Sequence, residues 1–227
     1  MLVVALDGPA GAGKSTVSRR LAARLGVPYL DTGAMYRGVA LAALAADIDP
    51  SDTAAVGELS RRIQLDISDD GVTLDGNDVT QAIRGPAVNA SVSIVAANSE
   101  VRAEMRARQR TWAESAGGGV VEGRDIGSVV FPDATLKVYL TASPLQRAQR
   151  RAAEAGGDVE EIAASIAARD YMDSTRADSP LVAAAGSVIV DTDGLDVSEV
   201  IDRIVELLAA ADTGQRGGDD STKGSPT

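Results

Sequence analysis

The octapeptide Gly8-Pro9-Ala10-Gly11-Ala12-Gly13-Lys14-Ser15 follows directly on the apolar run at residues 2–6, and it satisfies the pattern G-x-x-x-x-G-K-[ST] at every position. Residues 2–6 have the unbroken hydrophobicity of a strand buried on both faces of a parallel sheet. From Lys14 onward, Val17, Leu21 and Leu25 recur at helical spacing, and Gly26 supplies a stop. Strand, glycine loop and helix in that order form a phosphate cradle. The glycines let the backbone curl until its N–H groups point at phosphate oxygens, and the helix N-terminus adds its dipole. Candidate triphosphate contacts are therefore Gly8, Pro9, Ala10, Gly11, Ala12, Gly13, Lys14, Ser15 and Thr16. Lys14 would reach the β and γ phosphates and the Ser15 hydroxyl would serve Mg²⁺. A ligand-free glycine turn is the plainer alternative, and the strand-loop-helix context speaks against it. By itself the motif leaves a motor, a switch, a transporter subunit and a small-molecule kinase open.

Composition narrows the chemistry. The 227 residues include no cysteine and no histidine, which removes disulfides, thiol nucleophiles and histidine bases, so catalysis must run on Lys, Arg, Asp, Glu, Ser and Thr. The formal charge of −11 argues against a nucleic-acid surface, so an anionic ligand has to be drawn in by local arginine clusters. No apolar run reaches the roughly 18 residues of a membrane span, and MLVVALDG lacks the features of a signal peptide. The expectation is a cytoplasmic monomer with small-molecule substrates, no nucleic acid and no membrane.

Alternating strands and helices predict an α/β protein, a three-layer fold around a parallel sheet. Strands are expected near residues 27–30, 120–121, 136–140 and 187–190, and helices over 33–46, 99–116, from Pro144, and over 197–211. Ser99 is the expected N-cap of the charged helix. Residues 63–79 differ in character, with LDIS, VTL and DVT separated by the turn pairs Asp70-Gly71 and Gly76-Asn77, which predicts a small β-meander inserted in the α/β body. One domain is expected over 1–211, with its core at 1–62, 86–150 and 181–211, the insert at about 63–85 and a polar helical segment at about 151–180. Residues 212–227 are too poor in apolar side chains to fold and are expected to be a disordered tail.

Two further segments fall where open α/β sheets bind ligands, just after a strand. Asp31-Thr32-Gly33-Ala34-Met35-Tyr36-Arg37 places an arginine one turn into a helix, and Glu122-Gly123-Arg124-Asp125-Ile126-Gly127 sets an Arg-Asp pair between glycines. Either could grip a phosphate, and either could be structural, as a capped helix with a solvated Arg or as an ion pair. Arg102, Arg106, Arg108 and Arg110, and likewise Arg147, Arg150 and Arg151, fit a solvated basic helix face, with the last three also conceivable as ATP contacts.

Taken together, LDGPAGAGKST, LDTGAMYR, GRDIGSVVFPDA and the later Arg169-Asp170, Asp173 and Arg176 resemble the bacterial cytidylate kinase family over residues 2–210. The resemblance implies a P-loop fold with a five-stranded parallel sheet, a three-stranded insert covering the acceptor and an arginine-bearing lid over ATP. It further implies that Thr32, Tyr36 and Arg37 border the CMP phosphate and base, although family members often carry Ser at the position of Thr32. It makes Ser93 and Arg102 the cytosine-reading pair with Asp125 assisting, Arg124 the clamp on the acceptor phosphate, and Arg169, Asp173 and Arg176 the lid group on the sugar and the transferred phosphoryl. The implied reaction moves a phosphoryl group from ATP to CMP or dCMP with Mg²⁺, and Lys14, Arg124, Arg169 and Arg176 are the implied catalytic residues. Kinases of shikimate or dephospho-coenzyme A, and a nucleotide switch, are the rival readings. No N-K-x-D guanine motif supports a switch. A hydroxyl acceptor would call for a positioned carboxylate such as Asp7 or Asp31.

Overall fold

The computed structural model describes residues 1–68 and 71–216. The chain opens with β1 (Leu2–Asp7), α1 (Lys14–Leu25), β2 (Tyr29–Asp31), α2 (Thr32–Ala45) and α3 (Thr53–Arg62). Then come β3 (Leu65–Ser68), β4 (Gly71–Leu74), β5 (Asn77–Asp78), a 3₁₀ turn at Ala82–Arg84, α4 (Pro86–Ala97) and α5 (Ser99–Ala116). The remainder is β6 (Gly118–Gly123), a π turn at Ile126–Val130, β7 (Leu136–Thr141), α6 (Pro144–Ala155), α7 (Val159–Thr175), β8 (Val188–Asp191) and α8 (Val197–Arg216).

Five parallel strands form the main sheet in the order β2-β6-β1-β7-β8. Alternation along the strands sends Val4, Leu6, Val120, Val138 and Leu140 to one face, under α1 and α8. Val3, Ala5, Leu30 and Val121 go to the other, against α2, α4 and α5. Apolar residues on both faces explain the unbroken runs in the sequence. Leu6 and Leu140, each fully buried, contribute roughly 2 kcal/mol apiece. Parallel register brings Asp7 beside Gly123 and Asp31 beside Glu122, so three separate loops leave the sheet at one edge.

The second sheet, β3-β4-β5, is antiparallel. Its β4–β5 turn is made by Asp75 and Gly76, at φ 49 and 80, the pair of positive values that a tight hairpin demands. The Gly76-Asn77 turn expected from sequence is therefore displaced by one residue, Asn77 already being paired with Leu74. Of the other expected turn pair, Asp70-Gly71, the first residue lies with residue 69 outside the described residues and Gly71 opens β4.

Several boundaries move. Asn98, not Ser99, caps α5, its Oδ1 accepting from the N–H groups of Glu100 and Val101 at 3.0 and 3.4 Å. Of the three glycines expected to end α5, only Gly117 does so, in the left-handed conformation at φ 74, while Gly118 and Gly119 already belong to β6. Helix α8 continues past Ala211 to Arg216, into the segment expected as a tail, whose portion at 217–227 lies outside the described residues. Among the described residues no helix is long and apolar enough to cross a membrane.

Candidate active site

Gly13, at φ 87, turns the glycine loop into α1. Gly8 runs so close to β7 that a Cβ there would lie 2.1 Å from the Leu140 carbonyl oxygen. Lys14 is buried, and its Nζ donates to the Pro9 carbonyl at 2.7 Å, so the ammonium lies across the mouth of the loop. Ser15 and Thr16 face solvent. Burial, reinforced by Arg124 and Arg169, pushes the Lys14 ammonium well below its ordinary range.

Glu122, at the end of β6, lies beside this lysine. Its Oε1 accepts from the Tyr29 hydroxyl at 2.6 Å, whereas its Oε2 is buried without a hydrogen-bond partner. Burial and the charge of Asp31 raise its pKa, and Lys14, Tyr29 and Ser15 pull it back down. An orphaned carboxylate oxygen close to the Ser15 hydroxyl fits a hydrated divalent cation riding on nucleotide phosphates. The sequence marked Ser15 alone for this task. The available signal was an acidic residue closing the strand next to the glycine-loop strand, masked in the sequence by the more distinctive Arg124-Asp125 pair beside it.

Asp7 ties the loop base to the Asp125–Gly127 segment. Its Oδ1 accepts from Ile126 N at 2.8 Å and its Oδ2 from Gly127 N at 2.7 Å. Burial raises its pKa to about 6, against the two backbone donors. Asp31 is likewise engaged, its Oδ1 capping α2 through the Ala34 N–H at 3.0 Å and its Oδ2 lying 4.0 Å from Arg84. Asp7 is thus engaged through both oxygens, whereas Asp31 is engaged by a hydrogen bond at Oδ1 alone.

On the opposite wall, arginines and aspartates alternate in one buried chain. Arg124 Nε donates to Asp173 Oδ2 at 2.8 Å, and Asp173 Oδ1 lies 3.9 Å from Arg176 Nη1. Arg176 Nη2 donates to Asp125 Oδ1 at 3.4 Å, and Asp125 Oδ2 accepts from Arg102 Nη2 at 2.5 Å. Asp178, 3.8 Å from Arg102 Nε and 3.0 Å from Arg106 Nη1, extends the chain. Arg102 is fully buried over the Tyr36 ring, 5.5 Å from its centroid. Burial pushes the Tyr36 hydroxyl up to about 12. Arg102 is thus no solvated helix face, and half-buried Arg108 donates to the carbonyls of Ser60 and Ile63, whereas Arg110 stays exposed while donating to those of Val129 and Val130.

Arg37 is turned toward α4, its Nη1 donating to Ile83 O at 3.1 Å and Asn89 Oδ1 at 2.5 Å. The Thr32 hydroxyl, expected to border the ligand, is buried and donates to the Glu122 carbonyl at 2.6 Å, so it serves as a strut between α2 and β6. Ser93 is buried on α4, with no hydrogen bond to Arg102 or Asp125. Arg147 is also no solvated residue, being buried against the Ala10 carbonyl at 2.9 Å. Arg150 bonds Thr192 at 2.8 Å through its side chain and 2.7 Å through its carbonyl, and only Arg151 is exposed on α6, paired with Glu154 at 3.3 Å.

Three cations remain incompletely neutralised. Burial first, and Arg124 next, bring Arg169 down to about 10, and Arg169 makes no hydrogen bond or ion pair among the described residues. Arg37 is lowered by burial and by Arg84, Arg151 and Arg124, and Lys14 by burial, Arg124 and Arg169. Groups that depress one another in this way await an anion.

A glycine-rich phosphate cradle, a buried lysine and converging arginines on the β2-β6-β1-β7-β8 parallel sheet define a P-loop phosphotransferase. The family model for cytidylate kinase matches residues 4–210. The chain is 49% identical over 212 residues to the cytidylate kinase of Mycobacterium leprae (strain Br4923), covering 91% of this chain and 95% of that one. It is also 49% identical to the bifunctional pantoate ligase/cytidylate kinase of Parasynechococcus marenigrum (strain WH8102), covering 92% of this chain and 44% of that longer protein. The solved structure of TT1252 from Thermus thermophilus shares the fold, with a TM-score of 0.51, 19% identity and coverage of 92% and 96%. The chain belongs to the cytidylate kinase family.

Proposed function

We propose that this protein transfers the γ-phosphoryl group of ATP to CMP or dCMP by direct in-line displacement, giving ADP and CDP or dCDP. The supporting observation is the cluster of Lys14, Arg37 and Arg169 around Arg124, each of the three held below its ordinary pKa by burial and by neighbouring cations, which marks a site prepared for two phosphate chains. The occupation of both Asp7 oxygens by backbone N–H groups disfavours Asp7 as the free base that a hydroxyl acceptor would want. A nucleotide phosphate, with a second pKa of about 6, is largely dianionic at neutral pH and attacks without one.

In this reading the helix-proximal part of the loop, from Gly11 to Thr16, cradles the ATP phosphates, the Ala10 N–H being taken by Asp170 at 3.0 Å, and Lys14 draws charge onto the β and γ oxygens. Ser15 and Glu122 would hold Mg²⁺, which neutralises phosphate charge when bound. Arg124 and Arg37 orient the acceptor phosphate, while Asp173 and Arg176 address its sugar and the phosphoryl in flight alongside Arg169. Arg102 and Asp125, over Tyr36, read the cytosine edge with Ser93 on the adjoining helix. Sheet β3-β4-β5 covers the acceptor, and α6 with α7 acts as the lid that keeps water from the transferring group. ATP and CMP or dCMP are the partners this requires, and a cytoplasmic monomer suffices. Calorimetric titration tests the acceptor site, since CMP is expected to bind about 100-fold more tightly than cytidine through charge-assisted contacts. Equal affinities would contradict it.

A further inference from the structure

Arg169 differs from every other arginine in the site. Arg102, Arg124 and Arg176 are each aimed by an aspartate, at 2.5, 2.8 and 3.4 Å. Arg169 is half-buried, its Nε is buried without a hydrogen-bond partner, and no carboxylate pairs with it. A side chain with four rotatable bonds and no partner keeps its direction only if the backbone beneath it is fixed. The next residue on α7 supplies such a fixture. Asp170 Oδ1 accepts from the Ala10 N–H at 3.0 Å. Its Oδ2 pairs with Arg147 Nη1, which also donates to the Ala10 carbonyl at 2.9 Å. Both polar groups of one P-loop residue are thus held by a carboxylate from α7 and a guanidinium from α6. Gly11 makes the approach possible, because a Cβ there would stand 3.0 Å from the Arg147 Cβ at φ +78.

The ring closes three elements that are far apart in sequence. Ala10 and Asp170 are separated by 160 residues, and Ala10 and Arg147 by 137. Asp170 Oδ1 is engaged by an N–H and Oδ2 by a guanidinium, and Asp170 itself is only partly buried, so the group is satisfied without a ligand. Its contact falls at the crest of the loop, ahead of Gly13 and Lys14, whose N–H groups begin the helix. The clamp therefore leaves the helix-N-terminal part of the cradle clear while fixing how high α7 stands over Lys14.

We propose that Asp170, braced by Arg147, is a positioning residue that indexes helix α7 to the P-loop at Ala10 and thereby sets Arg169 over the transferring phosphoryl group. This rests on the assignment of Arg169 as a contact to that group, and it predicts that Asp170 acts through Arg169. The test is a double-mutant cycle on kcat and KM with ATP and CMP in the full chain, using Arg169→Ala, Asp170→Ala and the combination. Arg169→Ala is expected to lower kcat by about 10³. Asp170→Ala alone is expected to lower it by roughly 10-fold or more with the CMP KM little changed, and to cause no further loss in the Arg169→Ala background. A merely structural role would lower kcat by the same factor in both backgrounds, and that result overturns the inference, as does near-normal turnover of Asp170→Ala beside a crippled Arg169→Ala. Normal turnover of Arg169→Ala would remove the Arg169 assignment and the inference with it. Asp170→Asn, which keeps an acceptor for the Ala10 N–H and loses the ion pair, serves if the alanine variant does not fold. An intermediate loss confined to the background with Arg169 is expected, and an equal loss without Arg169 contradicts the proposal.

Discussion

Asp125 Oδ2 lies 2.5 Å from Arg102 Nη2, with the side chains 6% and 1% exposed. Removing one partner of a buried pair leaves the other charge desolvated, at a cost of about 3–5 kcal/mol. Asp125 keeps Arg176 at 3.4 Å, so Arg102→Met is expected at the lower end, about 3 kcal/mol, by urea denaturation. The same variant should raise the CMP KM by roughly 10-fold or more, since a polar base edge is left unmet, with the ATP KM unchanged. Equal changes in both KM values would contradict a base-reading role.

The P-loop glycines should separate by mechanism. At Gly8 a Cβ would meet the Leu140 backbone oxygen at 2.1 Å, whereas at Gly13 its nearest neighbour is Arg150 Nη1 at 3.8 Å. Gly8→Ala must push β1 and β7 apart and is expected to lose most of the folding stability. Gly13→Ala suffers only the left-handed conformation, about 1–2 kcal/mol. Thermal melts of the two variants check this, and similar midpoints would contradict it.

Asp7 links stability to pH. Its folded pKa, raised by burial from 3.8 to about 6, means that the native state holds the proton more firmly than the unfolded state. The associated stability is present below about pH 4 and is lost as pH rises through about 6, a change of order 3 kcal/mol. The stability of Asp7→Asn relative to the wild type should therefore improve between those values and level off above them. Urea melts across that range decide, and parallel pH profiles for the two proteins would contradict the account.

Glu122→Gln keeps an acceptor for the Tyr29 hydroxyl but removes the charge beside Ser15 and Lys14. If this carboxylate helps to hold Mg²⁺, the magnesium concentration for half-maximal rate should rise several-fold, with thermal stability unchanged or higher because a buried charge is gone. An unaltered magnesium dependence would remove Glu122 from the metal site.

The first strand, the glycine loop and α1 were legible because each is specified locally: an apolar run, a curled backbone and a helical stripe in direct succession. The β-meander was legible from its turn residues, with the β4–β5 turn one residue out. Helix α4 was not, because Pro86–Ala97 is built almost wholly of small and apolar residues and so shows no stripe of contrasting polarity. Arg102 and Arg147 were read as solvated because a helix sequence does not reveal which loop will meet it. Their partners Asp125 and Ala10 are 23 and 137 residues away, and Asp178 lies 72 residues from Arg106. The engagement of Asp7 with two N–H groups was hidden for the same reason, since the parallel register that places β1 beside β6 is a tertiary fact.

The proposed reaction joins ATP and a pyrimidine nucleoside monophosphate across the paired phosphate sites. It is tested most directly by the initial rate of ADP release from MgATP with CMP, dCMP, UMP, AMP and shikimate offered in turn to the purified full chain. CMP and dCMP are expected to outrun the others by at least about 10-fold, the discrimination available to a site that hydrogen-bonds a base edge. ADP release that is no faster with CMP than without any acceptor, or that is fastest with shikimate, would contradict the account.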